Sequence, residues 1–175
     1  MPQQEQVIAI TGRRGSCKTL LAVHYAKQYA EQGRTVYSNI YLAFDYKVLT
    51  LDMIREPTEE LKGSVILIDE VQIWADAYKF FSKDSVALST LATQLRKLKV
   101  TLIITLQDLR DTIIRLRRQV DYIFQMERAS KIDGIAICTV LDATANEGRD
   151  FVKQFLFDGR YLFGQYDTNE IVYPE

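Results

Sequence analysis

Residues 12–19 read Gly12-Arg13-Arg14-Gly15-Ser16-Cys17-Lys18-Thr19 and fall one residue short of the pattern G-x-x-x-x-G-K-[ST]. A loop of this kind turns its backbone N–H groups toward the β- and γ-phosphates of a nucleotide such as ATP, at the positive end of the helix that follows. Lys18 then neutralises phosphate charge, and the Thr19 hydroxyl is a ligand for Mg²⁺. The departure is Cys17, which stands where the pattern has glycine. Glycine there allows close backbone approach to phosphate and unusual dihedrals. Cysteine is a small substitute, so a working loop with altered affinity is expected. A thiol at a helix N-terminus beside Lys18 also admits a second reading, a depressed pKa and a reactive sulfur. The plainer reading is a small, tolerated side chain.

Two acids and an amide complete the set. Val65-Ile66-Leu67-Ile68 is an apolar run ending in Asp69-Glu70. A carboxylate at a strand tip, Asp69, suits Mg²⁺, usually through water. Glu70, one residue on, can polarise a water for attack on the γ-phosphate. By themselves the two acids would only solvate a strand end; beside a phosphate loop they gain a use. A second apolar run ends in Thr105-Leu106-Gln107, and Gln107 is placed to sense the γ-phosphate or, more plainly, to cap the next segment.

The elements that must hold these residues follow from hydrophobic pattern. Gln6–Ile10 reads as a short buried strand and Lys18–Gln32 as a helix closed by Gly33. Thr35–Leu42 reads as one strand. Leu51–Leu61 is ambiguous, because Asp52 suits a helix cap while Pro57 interrupts. Val65–Ile68 and Val100–Leu106 are continuous apolar runs suited to strands covered on both faces. Ser85–Leu98 carries Leu88, Leu91, Leu95 and Leu98 on one helical stripe. A helix over Asp111–Arg118, a strand over Tyr122–Met126 and a turn at Asp133-Gly134 into Ile135–Leu141 follow. The tail suggests a short helix near Asp150–Phe155 and strands near Tyr161–Tyr166 and Glu170–Tyr173. Alternating strands and helices imply right-handed βαβ units around a mainly parallel sheet. Ligands in such sheets bind at the carboxyl ends of the strands, where the polar residues above fall.

The 175 residues suit a single domain, with a core over about residues 6–128 and a β-rich C-terminal extension over about 129–175. Hydrophobic residues make up 47% and charged residues 26%, with no low-complexity stretch, which argues against long disorder. A net charge of −1 gives the whole chain no general attraction to nucleic acid or anionic lipid, so any DNA contact must be local or summed over copies. Local basic groups exist: Arg96, Lys97 and Lys99, then Arg110, Arg115, Arg117 and Arg118, the latter partly offset by Asp108 and Asp111. Both groups are equally readable as ordinary surface charge. Cys17 and Cys138 form no disulfide framework, which points to a reducing, cytoplasmic setting. No run approaches the ~20 apolar residues of a membrane span, and residues 1–6 lack the regions of a secretory signal. The single histidine, His24, reads as structural. Trp74 and the Tyr78–Phe81 aromatics read as packing, with base stacking as the alternative.

GRRGSCKT, VILIDE and LRKLKVTLIITLQ together resemble the FtsK–HerA superfamily of DNA-pumping P-loop ATPases, over roughly Val7 to Met126. Within it the chain looks most like viral genome-packaging ATPases and the zonula occludens toxin-like assembly proteins of filamentous phages. The late GQYDTNEI (Gly164–Ile171) is a weak echo of the ends of such domains. The resemblance implies a RecA/ASCE-like α/β fold and ATP hydrolysis with Mg²⁺. It also implies a homo-oligomeric ring, hexamer or pentamer, around double- or single-stranded DNA, with a capsid or assembly-complex partner. It assigns Arg96, at the end of the helix before the glutamine-tipped strand, as a finger acting in trans. The filamentous-phage proteins carry a membrane span, so soluble genome packaging in the host cytoplasm or virion is the better match.

Two other readings stand beside it. Asp69-Glu70-Val71-Gln72 resembles the DExQ of thymidine kinases, in which the Glu acts as base. Those kinases usually carry a four-ligand zinc ribbon, which Cys17, Cys138 and His24 cannot build. The third reading is a nucleotide-dependent switch that does not move DNA.

Overall fold

The computed structural model describes residues 5–71, 93–109, 117–129, 131–144 and 150–171. Trp74, Tyr78–Phe81, Leu88, Leu91, Arg110, Arg115 and most of the two expected helices over 85–98 and 111–118 lie outside those residues. At their edges residues 93–97 are helical, and Leu95 and Leu98 are buried.

Ten strands and two α-helices organise the described chain. In order they are β1 (Val7–Thr11), α1 (Lys18–Glu31), β2 (Val36–Ser38), β3 (Ile40–Leu42), β4 (Lys47–Val48), α2 (Leu51–Arg55), β5 (Val65–Ile68), β6 (Thr101–Leu106), β7 (Tyr122–Arg128), β8 (Ile135–Asp142), β9 (Asp150–Asp158) and β10 (Tyr166–Ile171). Eight form one sheet in the order β4-β2-β5-β6-β1-β7-β8-β9. Pairing is parallel from β4 to β7 and antiparallel from β7 to β9.

The central strands β1, β5 and β6 are buried at every position because both faces are covered. On β1, Ile8 and Ile10 pack with α1 residues Leu21, Ala22 and Val23 on one side of the sheet. Val7 and Ala9 face the other side with Leu95, Leu98, Leu102 and Ile104. α1 ends where Gly33 takes φ 83 and returns its N–H to Ala30 O at 2.9 Å, a left-handed exit that glycine adopts without steric cost.

Three stretches depart from the sequence-based expectation. Thr35–Leu42 is two strands, because Asn39 leaves the ladder. Its side chain instead exchanges hydrogen bonds with the backbone of Asp69, and β3 pairs with β10 in a separate ribbon. Asp150–Phe155 is not helical but lies within β9, where Phe151, Val152, Phe155 and Phe157 find the free edge of β8. Residues 161–166 are not a strand: a 3₁₀ turn occupies Arg160–Leu162, and β10 begins only at Tyr166. The ambiguous Leu51–Leu61 segment resolves into α2 and a 3₁₀ turn at Glu59–Leu61. The cap is Thr50, whose Oγ1 accepts from Met53 N, rather than Asp52.

The segment between β9 and β10 runs over α1 as a strap. His24 on α1 hydrogen-bonds Tyr161 and packs against Tyr25 and Phe157. Burial lowers the His24 pKa, which keeps the ring neutral in this structural role.

Candidate nucleotide site

The loop leaves β1 at Gly12, where φ is 148. A Cβ here would lie 2.4 Å from Met126 O and 2.6 Å from Ser16 Oγ, so the position accepts only glycine. Gly12 N donates to Gln107 O at 3.1 Å, which ties the loop to the tip of β6. Ser16 N closes the turn onto Arg13 O at 3.2 Å, and α1 starts with Leu21 N on Cys17 O at 3.0 Å. Cys17 itself sits at φ 66, ψ 25. The left-handed conformation that the sequence pattern reserves for glycine is therefore kept, and here cysteine carries its cost.

For Cys17 the surroundings favour the plainer reading, a small, tolerated side chain, over the reactive thiol. Burial raises its pKa, and this outweighs the lowering effects of the Gly134 N–H on the sulfur, of Arg128 and of Lys18. Cys138 is held higher still by burial, up to about 12.

Lys18 is 8% exposed and donates Nζ to Arg13 O at 3.0 Å, across the mouth of the loop. Desolvation lowers its pKa while Asp69 and Glu70 raise it. Thr19 Oγ1 donates to Asp69 Oδ1 at 3.0 Å, bringing together two residues 50 positions apart. Asp69 Oδ1 also accepts from Thr105 Oγ1 at 2.6 Å, and Thr105 Oγ1 in turn accepts the N–H of Glu70 at 2.8 Å. Asn39 clamps the other side, with Oδ1 on Asp69 N at 2.7 Å and Nδ2 on Asp69 O at 3.0 Å. Burial raises the Asp69 pKa against these hydrogen bonds. Glu70 adopts φ 48, a left-handed turn immediately beyond the strand.

The paired hydroxyl of Thr19 and carboxylate of Asp69 are hard oxygen donors held on one side of the lysine, which fits a magnesium that keeps most of its waters. A cavity of about 330 Å³ is lined by Gly15–Leu20, Glu70, Asp133, Gly134, Phe163 and Tyr166. A larger one, about 850 Å³, opens on the other side of the loop between Arg13, Arg14, Gln107 and Gln125–Arg128.

Lys18, Thr19, Asp69 and Glu70 therefore converge as the sequence suggests. Gln107 reaches the loop through its backbone carbonyl, while its exposed side chain lines the larger cavity. Arg96 lies elsewhere. It donates to Asp121 Oδ1 at 2.8 Å and Gln119 O at 3.2 Å, at the N-terminal ends of the parallel strands. β6 separates it from Gln107, about 17 Å of extended chain. Asn39, Thr105, Phe163 and Tyr166 were not singled out from sequence. The first two had one faint signal, a polar residue inside a segment read as a strand, since buried polar groups require partners.

The order β5-β6-β1 interposes β6 between the strand that feeds the phosphate loop and the strand that carries the acids. With the loop running straight into α1, this defines a P-loop NTPase fold. Among solved structures the chain is similar to the N-terminal domain of zonular occludens toxin from Neisseria meningitidis, with a TM-score of 0.65 at 17% identity over 94% of this chain and 100% of that one. It is also similar to B204, the DNA-packaging ATPase from Sulfolobus Turreted Icosahedral Virus, with a TM-score of 0.57 at 16% identity over 89% and 98% of the two chains. A third likeness is to the genome packaging NTPase B204 from Sulfolobus turreted icosahedral virus 2 in complex with ATP-gammaS, with a TM-score of 0.59 at 13% identity over 87% and 97%. At such identities the shared property is the fold. Neither a protein-family model nor a curated protein sequence matches the chain.

Proposed function

We propose that the chain is a magnesium-dependent ATPase that moves DNA in genome packaging or phage assembly, acting as a homo-oligomeric ring. The observation that carries the reading is the hydrogen-bonded set Thr19–Asp69–Thr105 beside Lys18, which holds a metal-binding pair at the mouth of a phosphate loop. The fold likeness to packaging ATPases supports the transport part.

Lys18 leaves its contact on Arg13 O and binds the β- and γ-phosphates, together with the backbone N–H groups of residues 15–19. Mg²⁺, held by Thr19 and through water by Asp69, would offset charge on the phosphate oxygens. Glu70 accepts a proton from the attacking water as its oxygen bonds to the γ-phosphorus, and the bond to the β-phosphate oxygen breaks with its electron pair leaving on ADP. Gln107 orients that water once its side chain turns from the larger cavity toward the γ-phosphate. Arg96 of a neighbouring subunit supplies positive charge at the subunit boundary, since within one chain it lies at the opposite strand ends. Copies of the basic groups around a ring sum to a DNA-facing surface that one chain of net charge −1 lacks.

The test is phosphate release from ATP with and without duplex DNA, together with the mass of the assembly. DNA-stimulated hydrolysis that falls steeply with salt supports the motor. Tight ATP binding without turnover points to a switch, and phosphate transfer to thymidine points to a kinase; either result overturns the motor reading. Among the described residues no helix is long and apolar enough to cross a membrane.

A further inference from the structure

Glu70 lines the smaller cavity together with Lys18 and Thr19, which marks that part of it for the γ-phosphate, so the base and ribose of a nucleotide must lie along the rest of its wall. The C-terminal part of the chain contributes Asp133, Gly134 and Phe163 to that wall. Phe163 keeps 54% of its surface exposed, although its ring rests on the Gly134 backbone. A Cβ on Gly134 would meet Phe163 Cζ at 2.7 Å. One part of the ring is thus backed by the turn, and the rest faces the cavity.

The support under the ring is fixed from two directions. Gly159 N donates to Gly134 O at 2.8 Å, which joins the β7–β8 turn to the strap. Gly134 and Cys17 line the same cavity, which brings this turn beside the phosphate loop. The strap is pinned to α1 through Tyr161 and His24. Tyr166 is the second aromatic lining the cavity. It is half-buried and near Asp69 and Cys17, and desolvation pushes its pKa up to about 12.

We propose that Phe163 is the base platform of this site: the nucleobase stacks on its exposed face, and Cys17 and Gly134 set the distance between platform and phosphate loop. This rests on the nucleotide-binding reading above and adds a base-binding element to it. Stacking needs only a π-face, so the platform serves adenine and guanine alike.

Calorimetric titration of the full chain, with Mg²⁺, tests it using ATP, GTP and inorganic tripolyphosphate as probes. Phe163→Ala should weaken ATP and GTP about tenfold, leave tripolyphosphate within about twofold, and be rescued by Phe163→Trp. Because the side chain is exposed, an unchanged melting temperature should accompany the loss. If the wild-type protein binds tripolyphosphate as tightly as ATP, or Phe163→Ala weakens neither nucleotide, the platform is wrong while the phosphate site stands. If none of the three probes binds the wild-type protein, both readings fall.

Discussion

Thr105 on β6 donates to the Asp69 carboxylate at 2.6 Å while receiving the Glu70 N–H at 2.8 Å, so one buried hydroxyl sets the position of both acids. Removing it leaves the Glu70 N–H without its partner and Asp69 with one donor fewer. Thr105→Val, similar in shape, is expected to cost about 1–3 kcal/mol in urea denaturation. It should also lower ATP turnover about tenfold or more, since Thr105 orients the carboxylate proposed to hold the metal. Thr105→Ser should recover most of both; equal losses in Ser and Val variants would show that the methyl group, not the hydroxyl, matters.

Asp69 gives a prediction with a definite sign. Burial raises its folded pKa, with Glu70 reinforcing and Lys18, Thr19 and Thr105 opposing. The folded protein thus holds this proton more tightly than the unfolded chain does. Stability from this group is lost as pH rises from the ordinary carboxylate range through the raised value. Asp69→Asn should therefore stabilise the nucleotide-free protein at neutral pH, on the order of 1 kcal/mol, while abolishing magnesium-dependent turnover. The gap in melting temperature to wild type should close on acidification. A gap that widens toward acid would contradict this.

The two loop glycines should respond differently to alanine. At Gly12 the added methyl meets Met126 O at 2.4 Å, a backbone atom that cannot step aside. Gly12→Ala is expected to destabilise by about 2–3 kcal/mol or more. Gly15 has φ 73 but open space around it, so Gly15→Ala should cost only the left-handed penalty, about 1–2 kcal/mol. Thermal denaturation of the pair decides the order.

Cys17 should be a sluggish thiol. Its raised pKa leaves less thiolate at neutral pH than a free cysteine has, so iodoacetamide labelling should be slower than for a cysteine peptide. The rate should climb only at more alkaline pH. Labelling faster than the peptide near pH 7 would restore the activated-thiol view.

Arg96 separates action in cis from action in trans. Its side chain is 43% exposed, and Asp121, only 13% exposed, keeps the Val7 N–H as a second partner, so Arg96→Ala should cost about 1 kcal/mol in stability. If a neighbour's Arg96 serves each site, Arg96→Ala and Lys18→Ala proteins should each be inactive alone. Mixed, they should regain part of the activity, because some boundaries then pair an intact loop with an intact arginine. No recovery in mixed assemblies of verified size would remove Arg96 from the mechanism.

The phosphate loop, the acid-tipped β5 and the glutamine-tipped β6 were legible in the sequence because each is a local pattern, an apolar run that ends in a polar residue of specific chemistry. Double burial makes those strands mostly apolar, and little local competes with that signal. β9 was misread as helix because a strand at a sheet edge is settled by the neighbour it pairs with, here β8, more than by its own residues. Asn39, Thr105 and Phe163 were invisible for a related reason. Their partners lie 30, 36 and 29 positions away at Asp69, Asp69 and Gly134, and only folding brings those atoms within hydrogen-bonding or van der Waals reach. The sequence by itself determined the loop and the polar residues that tip β5 and β6; the tertiary structure alone decided what holds them still, and which aromatics line the cavity beside them.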